Sequence, residues 1–399
     1  MQKFSGTDYL KIDIASNYGL DKEPWEKRLA WFSLHEHCLM EMLATSDKPA
    51  LYYAGVQAWF ATQRGEPTGY PISLDATASG MQLLACLTGD RSAARLCNVV
   101  STGSREDAYA AVYAHMLYKA GGTSKISRED CKRAVMTSLY GSKAVPKEVF
   151  GEDVLLHMFL GTMTELAPAA WELNEAFLAM WDPTAYTNNW VLPDNFHVKV
   201  KVMNRIIETV VFMDKPYEVM HSENAPTESG RSLGANTIHS LDGMVVREIT
   251  RRCNYNINRI NEVRGVLVGQ PMFLEDEDHH VQMVLTLWEH FKKSGYLSAR
   301  ILDHIDSTTI MLTDSNVIRE LVDSLPEKPF EVLSVHDCFR CLPNYGNDLR
   351  YQYNLQLHLI AKSELLSYLL SQLLKQTVSI GKLDPSLAND ILATEYALS

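Results

Sequence analysis

Residues 128–142 read REDCKRAVMTSLYGS, and the rest of the chain is interpreted outward from this stretch. Arg128, Lys132, Met136 and Tyr140 stand four residues apart, so in a helix of 3.6 residues per turn they share one slowly drifting face. Two cations lead this face, and the aromatic ring lies about 12 Å beyond the second cation at 1.5 Å per residue. The pattern predicts a helix that holds a nucleoside triphosphate, with the phosphates at its cationic end.

Gly141 follows the aromatic residue directly, which is where a helix would end and where no side chain would obstruct a close approach. Arg133 lies about 100° round the helix from Lys132 and receives no role. A half-buried amphipathic helix of no special function carries the same spacing, and it is the alternative interpretation of this stretch.

The composition is that of an ordinary globular protein with enough apolar material for a large core. The chain has 399 residues, of which 46% are hydrophobic and 22% are charged. The N-terminal residues lack an apolar signal region, and no apolar run is long enough for a membrane span, so we expect a soluble, intracellular protein. The seven cysteines are odd in number and scattered, which favours reduced thiols; Cys338 and Cys341 form one CxxC without a second pair at zinc-finger distance.

The net charge argues against binding to nucleic acid through bulk positive charge. Thirty-seven basic and 49 acidic residues give a formal charge of −12. An enzyme with a cleft remains compatible with this charge, because cations can be concentrated in one groove and metal-binding carboxylates add to the acidic total. A partner can also supply basic surface.

Two short blocks predict strands that end in a carboxylate. PISLDATASGMQ (71–82) reads as a buried strand ending at Asp75, followed by a helix from about Met81. Asp75 is either a metal ligand at a rigid strand end or a simple helix N-cap. EVLSVHDCFRCLP (331–343) reads as an apolar strand leading into a tight turn that would present Asp337 opposite Asp75.

The order of these blocks resembles the single-subunit DNA-dependent RNA polymerases of bacteriophages and mitochondria. KRxxMTxxYGS is similar to the family's fingers helix, DxxxSG to its first palm motif and HD to its last palm motif. The resemblance implies an α+β fold, a mostly helical right-hand palm and fingers with a small antiparallel palm sheet. It implies template-directed RNA synthesis from NTPs with two Mg²⁺ ions, in the cytoplasm of an infected bacterial host.

The resemblance also implies roles for individual residues. The metal ligands would be Asp75, the Ala76 carbonyl and Asp337. The catalytic residues would be the two aspartates and Lys132, which would donate a proton to the leaving group. The substrate would be bound by Arg128, Lys132, Tyr140, Tyr109 (from SREDAYAAVYAHML), His239 (from LGANTIHSLDG) and Gly80. His336 and Gly141 would support them. Core packing is the alternative for Tyr109, and a satisfied core or surface group is the alternative for His239.

The predicted organisation has five parts. Residues 1–70 are a helical lead-in, 71–99 the first palm segment, 100–235 the fingers, and 236–246 with 329–399 the second palm segment. An inserted helical segment of unknown role occupies 247–328, and its acidic stretch from Glu275 to His280 reads as a helix N-terminus rather than a metal cluster. A hairpin is predicted within 195–216, where relatives carry the hairpin that reads promoter bases.

The chain lacks the family's promoter-binding domain, thumb and GR motif upstream of the first palm block. It therefore looks like the larger, catalytic subunit of a heterodimeric phage RNA polymerase. We expect a smaller subunit that carries the missing parts, together with template DNA, nascent RNA, NTPs and a single-stranded-DNA-binding recruitment factor as partners.

Three alternatives remain open from the sequence. A DNA polymerase of the same superfold shares the paired aspartates, but Tyr140, Gly80 and HDCFR favour ribonucleotides. A non-catalytic DNA-binding scaffold subunit would make the ordered blocks accidental. An unrelated Mg²⁺ phosphohydrolase would need only the carboxylates.

Overall fold

The computed structural model describes residues 1–122, 126–228, 230, 232–269 and 279–399. The fold is α+β, with many helices and small antiparallel sheets. The helices are α1 (Gly6–Ala15), α2 (Trp25–His35), α3 (Pro49–Gln63), α4 (Ser79–Thr88), α5 (Arg91–Leu96), α6 (Ala108–Lys119), α7 (Arg128–Leu139), α8 (Ala144–Phe150), α9 (Val154–Leu166), α10 (Pro168–Ala179), α11 (Ser232–Cys253), α12 (Ile257–Val268), α13 (His279–Ser294), α14 (Ser315–Asp323), α15 (Gly346–Lys362), α16 (Leu365–Leu373) and α17 (Ala388–Ile391). The strands are β1 (Ile72–Asp75), β2 (Thr187–Val191), β3 (His197–Lys201), β4 (Met203–Phe212), β5 (Lys215–Asn224), β6 (Leu333–Val335) and β7 (Cys338–Cys341).

The first three helices pack on one another through their own apolar cluster, which includes Ile14, Phe32, Val56 and Trp59. Helix α2 ends at His35, and short 3₁₀ turns follow it. The cluster lies beside the start of β1.

The sheet that carries both predicted aspartate blocks is three-stranded and antiparallel, with the order β1-β7-β6. In its register Ile72 faces Cys341 and Asp75 faces Cys338. The buried side of this sheet joins the largest apolar cluster through Leu74 and Phe339. The sheet therefore places the end of β1 directly beside the turn between β6 and β7.

Helix α7 has the ends that its sequence predicts. Ser127 accepts a hydrogen bond from the Asp130 amide, and the Asp130 carboxylate accepts one from the Ser127 amide, which forms a capping box. The helix ends at Leu139, and Gly141 adopts φ +79°. Because left-handed backbone suits glycine, the predicted helix end is confirmed.

Two hairpins replace the single hairpin predicted within 195–216. Strands β2 and β3 form the first, and β4 and β5 form the second, whose ten residue pairs extend from Met203–Asn224 to Phe212–Lys215. Every residue of β5 is exposed, and apolar side chains such as Val211 and Phe212 face solvent. The predicted stretch thus contains the second strand of one hairpin and the first strand of the next.

Helix α11 joins the main apolar cluster to the segment that follows it. Residues between Tyr255 and Leu325 build a separate apolar cluster that includes Val263, Leu287 and Ile301. The predicted border at 246/247 falls inside this one helix. Most of the acidic stretch from Glu275 to His280 lies outside the described residues. In the part of the chain that the structure describes, no helix is both long and apolar enough to cross a membrane.

Asp90 caps two helices with one buried carboxylate. Its Oδ1 accepts from the Ala93 amide of α5 at 3.0 Å, and its Oδ2 accepts from the Ala169 and Ala170 amides of α10 at 2.9 and 3.0 Å. We predict that Asp90→Ala lowers the free energy of unfolding by about 2–4 kcal/mol, because three buried amides lose their acceptor. Asp153 is the N-cap of α9 but makes no side-chain cap bond, so Asp153→Ala is the matched control in denaturant unfolding. Equal effects of the two substitutions would contradict this role of Asp90.

Asp13 makes stability depend on pH. It accepts hydrogen bonds from the Ser73 amide at 2.8 Å and from the Tyr70 hydroxyl at 2.7 Å. Burial raises its pKa to about 6 from an ordinary value near 3.8. The folded chain therefore keeps this proton where the unfolded chain has lost it, so the contribution is fully present below about pH 4 and is lost as pH rises to about 6.

We predict that the stability difference between the native chain and Asp13→Asn decreases from pH 4 to pH 6 and then levels off. Urea unfolding at half-unit pH steps measures it. A difference that stays constant across this range would show that Asp13 keeps an ordinary pKa.

Candidate functional site

A cleft of about 650 Å³ opens beside the end of the β1-β7-β6 sheet. Its lining includes Ser79 at the start of α4, Met136 of α7 with the following Tyr140, His239 and Asp242 of α11, and His336 and Asp337 of the β6–β7 turn. Four separate sequence blocks therefore meet in one cavity. A volume in this range suits a small-molecule substrate the size of a nucleotide.

The two predicted carboxylates lie beside each other at the end of the sheet. Asp75 is paired across the sheet with Cys338, and the amide of Ala76 donates to the carbonyl oxygen of Asp337 at 3.1 Å. Burial raises the pKa of Asp337, and the negative charge of Asp75 raises it further. Two carboxylates that repel each other in this way favour a cation between them. The alternative that Asp75 caps α4 is wrong, because the N-cap of that helix is Ala78.

The turn that carries Asp337 has a constrained backbone. His336 adopts φ +56°, in the left-handed region that non-glycine residues seldom occupy. On either side, Val335 and Cys338 are paired in the ladder. The ladder holds this conformation in place, so that Asp337 leaves the turn toward β1 while His336 remains exposed.

The last residues of the chain cover the other edge of β1. The Ser399 amide donates to the Asp75 carbonyl at 2.9 Å, and the Asp75 amide donates to Ser399 O at 3.3 Å. Thr77 Oγ1 donates to the Tyr396 carbonyl at 2.6 Å. Asp75 is thus held between β7 and residues 396–399, which fixes its backbone on both sides. The prediction that Asp75 is a metal ligand gave no indication of this contact.

Tyr140 and His239 form the wall opposite the carboxylates. Their ring centroids are 4.6 Å apart with a 31° angle between the planes. A Cβ added at Gly80 would lie 3.1 Å from the Tyr140 hydroxyl, so the absence of a side chain lets the ring approach α4. Burial, aided by the charges of Asp242 and Asp337, raises the pKa of Tyr140 to about 12 and keeps it a hydroxyl donor.

Asp242 is a site residue to which the sequence reasoning assigned no role, and Ser79 was considered only for its small size beside Gly80. The Ser79 hydroxyl interacts with Tyr140, Asp242 and Asp337. Burial and the Asp337 charge raise the pKa of Asp242 to about 7. The available signal was spacing, because Asp242 stands three residues after His239 and so shares its helix face.

The cations of α7 are engaged to different degrees. Arg128 is paired with Asp107, the N-cap of α6, and with Glu129 at 2.9 Å. The off-stripe Arg133 is paired with Glu148 at 2.7 Å. Within the described ranges Lys132 has no ion-pair partner. Lys132 is therefore the cation on this face that is most available to an anionic ligand, whereas a ligand of Arg128 must compete with Asp107.

Tyr109 lies near this wall and also packs on the core. It is half-buried on α6 against the main apolar cluster. Burial and then the neighbouring Tyr140 raise its pKa to about 12. The structure thus places Tyr109 near Tyr140. Part of its side chain also packs on the core, as the alternative interpretation expected.

The donor set at the end of the sheet suits a hard divalent cation. No group of three or more His, Cys, Asp or Glu side chains converges as a metal site among the residues described. A metal here would be held by Asp75, Asp337 and backbone oxygen such as that of Ala76. Mg²⁺ is bound in this way, through one or two carboxylates with its remaining ligands from water and substrate phosphates.

Gly80 provides a test of the Tyr140 contact. Gly80→Ala places a methyl group within 3.1 Å of the Tyr140 hydroxyl, whereas the matched helical control Gly265→Ala meets nothing within 4 Å. We predict that Gly265→Ala raises the free energy of unfolding by about 0.5–1 kcal/mol through helix propensity, and that Gly80→Ala does not. Tyr140→Phe removes the nearest atom but leaves the ring carbon Cζ 3.3 Å from the added methyl group, so it should restore part of the gain at position 80. Equal stabilisation by both alanines would show that Tyr140 does not need this space.

Comparison with known proteins agrees with this geometry. Residues 3–158, which contain Asp75, Gly80, Tyr109 and all of α7, match the family model for DNA-dependent RNA polymerase. A protein of Neurospora crassa described as a probable DNA-directed RNA polymerase is 25% identical over 251 residues, which is 53% of this chain and 27% of the fungal protein. The chain thus spans about a quarter of that relative's length. These matches support the phage- and mitochondrial-type family of single-subunit DNA-dependent RNA polymerases for the part of the chain that they cover.

Proposed function

We propose that this chain carries the catalytic centre of a DNA-dependent RNA polymerase and adds ribonucleotides to an RNA 3′-end on a DNA template. The observation that carries the proposal is the pairing of β1 with β7, which sets Asp75 beside Asp337. Asp337 lines the cleft together with Tyr140 and His239. The matches to the family model and to the fungal protein support the same chemistry.

In this proposal Asp75 and Asp337 hold two Mg²⁺ ions, together with the Ala76 carbonyl. The ions would activate the RNA 3′-hydroxyl and neutralise the charge that develops as pyrophosphate leaves. The protein's own part is to fix the two carboxylates on a rigid sheet edge. The ladder partners on both sides of Asp75 serve that purpose.

Lys132 is proposed to bind the triphosphate and to donate a proton to the leaving pyrophosphate. It lies one helical turn before Met136 and two turns before Tyr140 on the same face of α7, and both of these residues line the cleft. Arg128 lies two turns before Met136 and would bind the far end of the phosphates. The phosphates would then replace Asp107 as its ion-pair partner. The phosphates and the sugar would thus occupy opposite ends of one helix face.

Selection of ribonucleotides is assigned to the Tyr140–His239 wall and the space at Gly80. The hydroxyl of Tyr140 and the exposed ring of His239 offer polar groups at one point of the cleft. The short Ser79-Gly80 pair leaves room where the related DNA polymerases place a bulky Glu. A 2′-hydroxyl group would fit there, and Tyr109 would support the wall from behind.

Primer extension tests the proposal. The substrate is a short RNA primer on a DNA template with Mg²⁺ and either NTPs or dNTPs, and the enzyme is the chain in the form in which it purifies from its natural source. We expect extension with NTPs and a loss of at least about 10²- to 10³-fold in rate in Asp75→Asn and in Asp337→Asn, because each removes a charge that binds metal.

Asp323→Asn on α14 is the matched control, since that carboxylate is exposed and is not among the residues that line the cleft. It should leave the extension rate unchanged. Extension with dNTPs in preference to NTPs would identify a DNA polymerase instead. If the folded protein extends no primer, the scaffold role is the remaining interpretation of this chain. The same conclusion follows if extension is unchanged in both aspartate variants.

We propose in addition that the chain works as the larger subunit of a heterodimeric phage enzyme, with a smaller subunit and a single-stranded-DNA-binding recruitment factor. The support is the resemblance of the ordered blocks to such enzymes. Purification of the tagged chain from its natural source tests this proposal by mass spectrometry. A stoichiometric smaller chain is expected, and recovery of the sequence within one longer polypeptide would overturn the proposal.

A further inference from the structure

A second cavity, of about 160 Å³, lies between the end of α7 and helices α8, α9 and α10. Among the residues described, it shares no lining residue with the cleft. Ser138 of α7 lines this cavity, whereas Tyr140 lines the cleft. Residues two apart on a helical turn point in nearly opposite directions. The end of α7 therefore separates two cavities, and we call the second one the α7–α10 cavity.

The walls of the α7–α10 cavity are mostly apolar. The apolar residues that line them are Pro146, Leu156, Leu160, Trp171 and Leu178. Trp171 is 5% exposed, and its ring packs edge-on against Phe159 with the centroids 6.3 Å apart. This packing holds the indole in place, so it offers a fixed aromatic surface to any ligand in the cavity.

Two buried polar residues interrupt these apolar walls. Ser138 is 3% exposed and Asn174 is 4% exposed, and both line the cavity. Asn174 Nδ2 donates to the Ser138 carbonyl oxygen at 3.0 Å, while Asn174 Oδ1 accepts no hydrogen bond from the residues described. The Ser138 hydroxyl also has no hydrogen-bond partner among them. One acceptor and one hydroxyl are thus left unpaired on two residues that contact each other.

The hydroxyl of Ser138 differs from its neighbour on the helix. Thr137 donates to the Arg133 carbonyl oxygen at 2.8 Å, one turn earlier, which is a common bond for a hydroxyl on a helix. Within the described helices, the buried hydroxyls without a partner are those of Ser138 and Thr162, and of these two only Ser138 lines the cavity. A buried hydroxyl is unfavourable when unpaired, so a ligand that bonds to it is favoured.

Size and charge define the class of ligand. An apolar cavity of about 150 Å³ holds one benzene ring, so the α7–α10 cavity admits a single ring with one or two small substituents. The charged residues that line it are Lys143, Lys147 and Glu175, and all three are exposed. Lys147 is paired with Glu152 at 3.0 Å. The remaining lysine and glutamate have opposite charges, which favours a neutral ligand.

We propose that the α7–α10 cavity binds a neutral molecule with one aromatic ring and one hydroxyl group, of the phenol class. The ring would lie among the leucines and against Trp171. The phenol hydroxyl would donate to Asn174 Oδ1 and accept from the Ser138 hydroxyl. An apolar pocket with a few convergent polar groups is the usual form of a small-molecule site. A bound ring would also oppose local opening at the end of α7, in residues 138–142.

Fluorine NMR tests the proposal with two probes, para-fluorophenol and fluorobenzene, which differ only in the hydroxyl group. The protein is used in the form in which it purifies. We expect para-fluorophenol to bind at least about tenfold more tightly than fluorobenzene, because only the phenol forms hydrogen bonds with the two polar residues. Hydrogen exchange should become slower in peptides that contain residues 138–142 when para-fluorophenol is added.

Two variants with matched controls locate the bound probe. Ser138→Ala should reduce the preference for para-fluorophenol by about threefold or more, whereas Thr137→Ala removes a hydroxyl outside the cavity and should keep the preference. Leu160→Trp fills the cavity and should abolish binding of both probes. Leu285→Trp on α13 should not, since Leu285 is 40% exposed where Leu160 is 37% exposed, and it does not line the cavity.

Three results would overturn the proposal. They are no binding of either probe by the folded protein, equal affinities for the two probes, and binding that persists in a folded Leu160→Trp variant. Circular dichroism establishes which variants fold, and if Leu160→Trp does not, the comparison of Ser138→Ala with Thr137→Ala decides. The proposal does not depend on catalysis by this chain, so failed primer extension with phenol binding intact would refute only the catalytic function.

Discussion

The antiparallel register between β1 and β7 is the constraint on which the rest of the cleft depends. It places Asp75 opposite Cys338 and so sets the carboxylate at the end of β1 beside the β6–β7 turn. A slip of one residue would turn Asp75 to the other face of the sheet and bury it against Leu74's neighbours in the core. The register is fixed from both sides, by β7 on one edge and by residues 396–399 on the other. Backbone pairing therefore keeps the two aspartates close together, so that they cannot move apart to relieve their repulsion.

Charge is distributed so that an acidic chain can still present cations where an anion would bind. Some cations on the surface are paired with carboxylates, as Arg133 is with Glu148. Lys132 on the face of α7 is among the cations of the described residues that form no ion pair, which leaves it available to an anionic ligand. Long-range attraction to nucleic acid is weak for such a chain, so affinity must come from short-range contacts in concave sites, where solvent and salt screen less.

Local signals predicted the elements well, and long-range contacts could not be predicted in the same way. The ends of α7 follow from Ser127, Asp130 and Gly141, which act within one turn of the helix. The meeting of the blocks in one cleft was expected only through the family resemblance, since periodicity says nothing about which strands pair. The Arg128–Asp107 pair and the Ser79–Asp242 contacts join segments that are distant along the chain. Neither segment of either pair carries a sequence pattern that indicates the contact. The hairpin prediction over 195–216 failed because alternation continues through two adjacent strands, and only tertiary contacts separate them.

Helix α11 makes the cleft and the following segment mechanically continuous. At 1.5 Å per residue its 22 residues span about 33 Å. Its first half presents His239 and Asp242 to the cleft, and its second half carries Arg251, which bonds both Asp194 at 3.0 Å and Glu248 at 2.8 Å. Both of these acids are fully buried, so breaking the network would leave an uncompensated charge in the interior. Because a helix transmits displacement along its axis, the orientation of the cleft wall depends on a charge network in the neighbouring core, and the segment of unassigned role helps to set the position of the residues that would contact substrate.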